Sequence, residues 1–182
     1  MNSKTIKYII IILLLPVVPL KATAQTGIYY STNGQLSSSL INQLYQDQRG
    51  FIWISTEFGL NKFDGTHFTH YKHIDNDSTS LINNHVRGVF EDSYRNLWIR
   101  CLGGLMLYHP ETDDFELIKI EGKEGRHVTN IMELHNGEVW GITTGDTIFR
   151  INLTQKVIEP IDEINRKLHL KSFSSIYEDT RR

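Results

Sequence analysis

From Leu40 to Ile158 the chain is written in short apolar runs, each cut off by Asp, Asn or Gly before a helix could develop. Runs bounded in this way, and rich in Ile, Val, Phe, Tyr and Trp, read as β-strands. Four follow one another at Ile41–Gln46, Phe51–Ser55, Leu60–Phe63 and His67–Tyr71. The breaks between them are Asp47 to Gly50, Glu57-Phe58-Gly59 and Asp64-Gly65, all built from turn residues. A second set of four lies at His85–Glu91, Leu97–Cys101, Leu105–Tyr108 and Phe115–Ile120. A third runs from Val128 to Ile158, with Asn136-Gly137 as a tight hairpin signal and Thr154-Gln155-Lys156 before the last strand. Helix content is expected to be small. Asp162–Leu170 has some helical character, in a place where a linker between repeats is expected.

The three sets are copies of one unit. Trp53, Trp98 and Trp140 stand 45 and 42 residues apart. Asp47 and Gly50 precede the first tryptophan, Asp92 the second and Gly137 the third; Thr56 and the pairs Gly59-Leu60 and Gly104-Leu105 follow the first two. A period of roughly 40–50 residues carrying several short strands is the signature of a β-propeller with one repeat per blade. The fold class expected is all-β: a partial propeller of about three four-stranded blades, near 36–73, 81–120 and 125–160. A fourth begins near 172, where Ser175-Ile176-Tyr177-Glu178-Asp179 matches Gly88-Val89-Phe90-Glu91-Asp92. Propellers close with about 4–8 blades. Residues 25–182 are therefore expected to be an incomplete propeller, the front end of a longer protein. Gly27-Ile28-Tyr29-Tyr30 reads as a lone strand of the kind that completes the last blade of a closed ring.

The recurring residues have structural readings. The aspartate starts a tight turn, where its carboxylate can accept backbone N–H bonds, and a later Gly or Asn tolerates positive φ. The tryptophan is expected to wedge neighbouring blades together, because a ring burying roughly 150–250 Å² recurs at one place in each blade. Stacking on a sugar is the alternative role for Trp53, Trp98 and Trp140.

Composition narrows the class. A net charge of −2 argues against a nucleic-acid surface or a polybasic membrane patch. The single cysteine, Cys101, excludes an internal disulfide; it holds the repeat position of Thr56 and reads as a small buried residue. Lys4 and Lys7, an apolar stretch from Tyr8 to Leu20 and Ala22-Thr23-Ala24 form an export signal, 1–24, with cleavage before Gln25. The stretch is shorter than the ~18 residues that span a bilayer.

Candidate chemistry is sparse, and no catalytic residue, cofactor or metal is assigned. His67 and His70 point to opposite faces of a strand, so with His73 they make no compact metal site. Asp75-Asn76-Asp77-Ser78-Thr79 opens like a calcium loop, but Ser80 and Val86 stand where glycine and a bidentate glutamate are required. Phe58, Tyr94 and Arg95 lie in inter-strand turns with access to solvent. They read as ordinary turn residues, and no ligand-binding residue is nominated.

Ile41 to Asp64 matches the pattern Val/Ile-x-x-Ile/Leu-x-x-Asp-x-x-Gly-x-Ile/Leu-Trp-Ile-x-Thr-x-x-Gly-Leu-x-x-Phe/Tyr-Asp, and so resembles the two-component regulator propeller repeat. Val86 to His109 repeats it with Cys101 for Thr and His109 for the final Asp; Val128 to Ile151 is degenerate, with Leu134 for the Asp and Thr147 for the Leu. The resemblance implies the periplasmic sensor region of a Bacteroidetes hybrid two-component system. It further implies an oligosaccharide ligand, a homodimeric full-length protein, a membrane helix and a histidine kinase beyond Arg182, and no nucleic acid bound here. The alternatives are an extracytoplasmic propeller enzyme, of glycosidase or quinone-dependent type, and a kinase-free binding propeller.

Overall fold

The computed structural model describes residues 30–31, 33, 35–120, 127–144, 147–168 and 175–179. The expected export signal, residues 27–29 of the expected lone strand, Gly145 and Asp146 lie outside them. Tyr30 is not in a strand; its ring packs edge-on against Phe63 and Phe68, both at 5.2 Å between centroids.

Three antiparallel meanders follow the chain. The first is β1 Ile41–Gln46, β2 Ile52–Thr56, β3 Gly59–Phe63 and β4 Phe68–Tyr71. The second is β5 Val86–Glu91, β6 Leu97–Cys101, β7 Gly104–His109 and β8 Asp114–Ile120. The third is β9 Val128–Glu133, β10 Val139–Thr143, β11 Thr147–Asn152 and β12 Val157–Pro160. In the first two, every end falls within one residue of its expected place. The reason is chemical: Asp and Gly mark the turns, and the apolar runs leave no latitude between them. The chain is thus all-β blade architecture with one short helix.

One feature departs from isolated blades. β8 and β12 pair in parallel through Val157 with Lys119 and Ile158 with Ile120, joining the second and third blades into one eight-stranded sheet. The first blade, β1 to β4, forms a separate four-stranded sheet. The segment Ser175–Asp179, expected as the first strand of a fourth blade, is not part of a sheet.

The core lies between blades. Trp53, Leu60 and Tyr71 of the first blade meet Val89, Leu97, Ile99, Met106, Tyr108 and Phe115 of the second. Trp98, Leu105, Leu107 and Ile118 leave the other face of the second blade to meet Val128, Ile131, Val139, Phe149 and Ile151 of the third. The second blade is therefore covered on both sides, which is why β6 and β7 read as nearly continuous apolar runs rather than alternating ones.

Polar bonds fix one blade to the next. Glu91 Oε2 accepts the backbone N–H of Gln48 at 2.7 Å, Glu133 Oε2 that of Ser93 at 2.8 Å, and Glu178 Oε2 that of His135 at 2.8 Å. Glu91 and Glu133 each end a strand just before such a turn, and each donating N–H belongs to the second residue of the turn one blade earlier than its glutamate. Glu178 thus holds the repeat position of Glu91 even though its segment forms no strand. Side chains of β1 also cover the free edge of β5: Asn42 Nδ2 donates to Val86 O, Gln43 Oε1 accepts from Val89 N, and Tyr45 Oη accepts from Glu91 N. An uncovered edge of this kind invites pairing with other chains.

The linker expected at 162–170 contains a short helix, α1 Asp162–Leu168, with Asp162 and Glu163 in its first turn and Arg166 and Lys167 in its last, the order that suits the helix dipole. Asn165 docks it: its side-chain oxygen accepts from Ile148 N at 2.8 Å and its Nδ2 donates to Ile148 O at 2.9 Å. Among the described residues no helix is long and apolar enough to cross a membrane.

Candidate functional site

The turns between first and second strands are built around a carboxylate. Asp47 Oδ1 accepts the N–H groups of Arg49 (3.0 Å) and Phe51 (2.9 Å), while Oδ2 accepts the indole N–H of Trp53 (2.9 Å). Asp92 repeats this with Tyr94, Asn96 and Trp98. Gly50 takes the left-handed conformation such a turn needs, with φ 92°. In the second blade Arg95, not the expected Gly or Asn, adopts it, at φ 67°. The left-handed conformation costs a non-glycine residue about 1–2 kcal/mol, and the two amides bound by Asp92 on either side of Arg95 offset it. The consequence is functional: a long cationic side chain and its neighbour Tyr94, 65% exposed, are held out from a rigid turn.

The third turn keeps the backbone bonds, Leu134 N to Glu138 O and Gly137 N to Leu134 O, with Gly137 at φ 84°. Leu134 has no carboxylate to offer. Asn136 Oδ1 takes the Glu138 N–H, and the Trp140 indole turns outward to Glu138 Oε2 at 3.1 Å. Trp53 and Trp98 are sealed at 0% and 1% exposure, but Trp140 is only half-buried. The three tryptophans, alike in sequence, are not equivalent in the fold.

A cleft of about 580 Å³ opens where the turns of the first and second blades meet. Arg49, Glu91, Tyr94, Arg95, Tyr108 and His109 are among its walls. Tyr94 and Arg95 thus come together; Phe58 does not join them, because it lies at the far end of β2, 59% exposed. Sequence reasoning passed over Arg49, Tyr108 and His109. Arg49 carried one signal, since it occupies the turn that Asp47 opens. It sits over the rings of Phe51 (5.4 Å) and Tyr108 (5.9 Å), which directs its guanidinium along the wall.

The floor is stiff. Tyr71 Oη and Tyr108 Oη both donate to Asp113 Oδ1, at 2.6 and 2.5 Å, and Lys62 Nζ donates to Tyr108 Oη at 2.8 Å. Burial, then the bond to Asp113, pushes both tyrosine hydroxyls up, so they stay neutral donors. Burial alone would raise the Asp113 carboxyl. The bonds from Tyr108 and Tyr71 and the Lys62 charge outweigh it and hold the group below the usual carboxylate range. The cleft presents the exposed Tyr94 ring and the guanidinium groups of Arg49 and Arg95, the means to grip a polar, flat-sided ligand.

The remaining singled-out residues have structural surroundings. Thr56, fully buried, donates to Gly59 O and accepts from Phe58 N, closing the β2–β3 turn that leads to Leu60. Gly104 and Leu105 open β7, with Leu105 fully buried. Cys101 is sealed in the core, and burial pushes its thiol up to about 12, which removes nucleophilic character at neutral pH. His70 pairs with Asn61 Oδ1, His67 with Asp64 and His73 with Leu81 O, three separate environments. Asp77 closes the 75–79 loop on itself through Thr79 N and Thr79 Oγ1.

Comparison with known proteins agrees with this geometry. Residues 35–58 match the family model described as two component regulator propeller. A solved relative is the extracellular domain of BT3049, assigned to a hybrid two component system of B. thetaiotaomicron. It is 27% identical, with a TM-score of 0.62, over 72% of this chain and 19% of that one. The extracellular domain of BT4673 from the same organism, 20% identical with a TM-score of 0.59 over 72% of this chain and 18% of that one, shares the fold. Among curated proteins, Histidine kinase P4 of Formosa agariphila is 46% identical over 46 residues, which is 25% of this chain and 3% of that protein. The chain spans about a fifth of the solved relatives and a small part of the curated one. Residues 35–58 thus carry the two component regulator propeller repeat, and the blades around them are similar in fold to the extracellular domains of these two component systems.

Proposed function

We propose that this chain forms part of the extracytoplasmic ligand-sensing propeller of a two-component sensor. Its likeness to the BT3049 extracellular domain over 72% of its length carries the reading. The chain itself senses and does not catalyse. An export leader at 1–24 delivers it to the periplasm, and a kinase elsewhere in the protein, beyond a membrane helix, receives the signal in a homodimer. The ligand proposed is an oligosaccharide, received in the cleft between the first two turns, where Tyr94 offers an exposed aromatic face and Arg95 and Arg49 offer charged forks.

The experiment is calorimetric titration of the protein that carries this chain against a panel of plant and algal oligosaccharides, repeated on single variants. Tyr94→Ala and Arg95→Ala should each weaken binding at least about tenfold, the loss of roughly 1.4 kcal/mol, with unchanged melting temperature. Phe58→Ala, equally exposed but at the other end of β2, should bind as the parent does. Equal binding by all three variants would remove the cleft from the reading, and no binding across the panel would remove the oligosaccharide.

A further inference from the structure

The first strand of every blade carries a β-bulge at the same place. Pairing slips between Ile41 and Gln43 in β1, between Val86 and Gly88 in β5, and opposite Ile142 and Thr143 in β9. The residues left unpaired are Asn42, Arg87 and Thr129. Bulges re-aim side chains and collect beside functional sites. Here all three bulged residues line one cleft of about 310 Å³, together with His85 and Arg100. This cleft is formed where β1, β5 and β9 come side by side, away from the turns that build the first one.

Its polar groups are unevenly supplied. Asn42 is used by Val86 O, and Thr129 Oγ1 by Ile142 O. Arg100 spends one terminal N–H on Thr129 O. The Nε atoms of Arg87 and Arg100 are both buried and have no hydrogen-bond partner. No carboxylate lines the cleft; Glu57 is engaged by His85 Nδ1 at 2.9 Å. Two guanidinium groups therefore line one open cleft with no carboxylate among its walls. Burial, and then the charge of Arg87, both work against the protonated form of Arg100. Arrangements of this kind are costly unless an anion enters.

The backbone makes room for this pair. Gly88 stands opposite Arg100 across β5 and β6, and a Cβ there would lie 2.4 Å from Arg100 Nη2 and 2.2 Å from Gln43 Oε1. A side chain at 88 would displace the ends of the Arg100 and Gln43 side chains from their present places. Glycine weakens a strand and is found where something must pass close to the backbone; what passes here is the guanidinium on its way to the cleft.

We propose that Arg87 and Arg100 form an oxyanion-binding site on the inner edge of the blades, taking a carboxylate or sulfate group. Two planar forks with free N–H groups match such groups in shape and charge. The source is either a free inorganic anion or an acid group on a saccharide, and the site stands whether or not the turn-side cleft takes sugar.

The test compares the protein that carries this chain with its Arg87→Gln variant by thermal melting, in sodium sulfate and in sodium chloride of equal ionic strength. Sulfate also stabilises proteins by exclusion from their surface, so the quantity read is the difference between the two proteins. The parent should gain about 3–6 °C more than the variant at tenfold the dissociation constant. In low salt the variant should melt no lower than the parent, since it removes an unpaired charge. Gly88→Ala, which leaves both arginines in the chain, should also lose the sulfate response. Repeating the melts with digalacturonate, a sulfated disaccharide and neutral cellobiose separates the sources: a response to the acidic sugars but not to cellobiose assigns the anion to a saccharide, and a response to sulfate alone assigns it to an inorganic ion. Equal sulfate shifts in parent and Arg87→Gln, with no specific response to either acidic sugar, overturn the proposal.

Discussion

The Trp53 indole N–H meets the Asp47 carboxylate at 2.9 Å, and both side chains are shut away from water. One oxygen of that carboxylate holds a turn and the other orients a core ring, so a single residue couples the local turn to the packing between blades. The second blade repeats the coupling through Asp92 and Trp98.

Removing the carboxylate should therefore cost more than an ordinary turn residue would. Asp47→Ala strands the N–H groups of Arg49 and Phe51 and the indole of Trp53, and each buried unsatisfied donor costs about 1–3 kcal/mol. Urea denaturation should show a loss of roughly 2–5 kcal/mol. A loss below about 0.5 kcal/mol, the size of a bland surface change, would show that the turn stands without it.

The tryptophans should rank by burial, not by their likeness in sequence. Trp53→Ala and Trp98→Ala should each cost about 3–5 kcal/mol, the range for deleting a large buried ring. Trp140→Ala should cost about 1–2 kcal/mol, in keeping with its half-buried ring. Equal losses at all three positions in the same denaturation experiment would contradict the distinction drawn from Leu134.

What the sequence showed and what it hid follow from the range of each interaction. Strand ends were legible because turn chemistry is local: Asp47, Gly50, Asp92 and Gly137 announce their turns within four residues. The inter-blade role of Trp53 was legible from its period. The Glu91 bond to Gln48 was not, since a glutamate ending a strand looks like any solvated charge until the next blade is in place. Arg95 at positive φ was unreadable for a related reason, because its support comes from the Asp92 carboxylate rather than from its own residue type. Arg87 and Arg100, thirteen positions apart, meet only because a bulge shifts their register.

Removing Glu91 should loosen the joint between the first two blades. In Glu91→Ala the Gln48 amide loses its acceptor, at a cost of about 1–3 kcal/mol. Hydrogen exchange at Gln48 should quicken while exchange within β6 and β7 stays slow. Unchanged exchange at Gln48 would mean that the bond contributes nothing to holding the blades.

Asp113 sets an acid limit. Its carboxyl is held below the ordinary value of 3.8, so the stability it contributes is fully present above that pH and is lost as pH falls through the lower folded value. The half-exposed carboxylate makes the effect small. Asp113→Asn should flatten the fall in melting temperature below about pH 4. An acid limb of the same slope in parent and variant would assign that limb to other groups.

The glutamate latch runs one way only. Each blade offers its turn to the glutamate of the blade after it, so the joint is head-to-tail and never self-complementary. Contacts of that type specify who comes next and carry no count; closure depends on the angle between successive members. Whole blades can consequently be duplicated or deleted without redesigning any joint. In this chain the same latch survives in the third blade, where the turn aspartate has already become Leu134 and the tryptophan has turned outward. Succession is thus the more durable part of the repeat, and the turn that names it in sequence is the part free to drift.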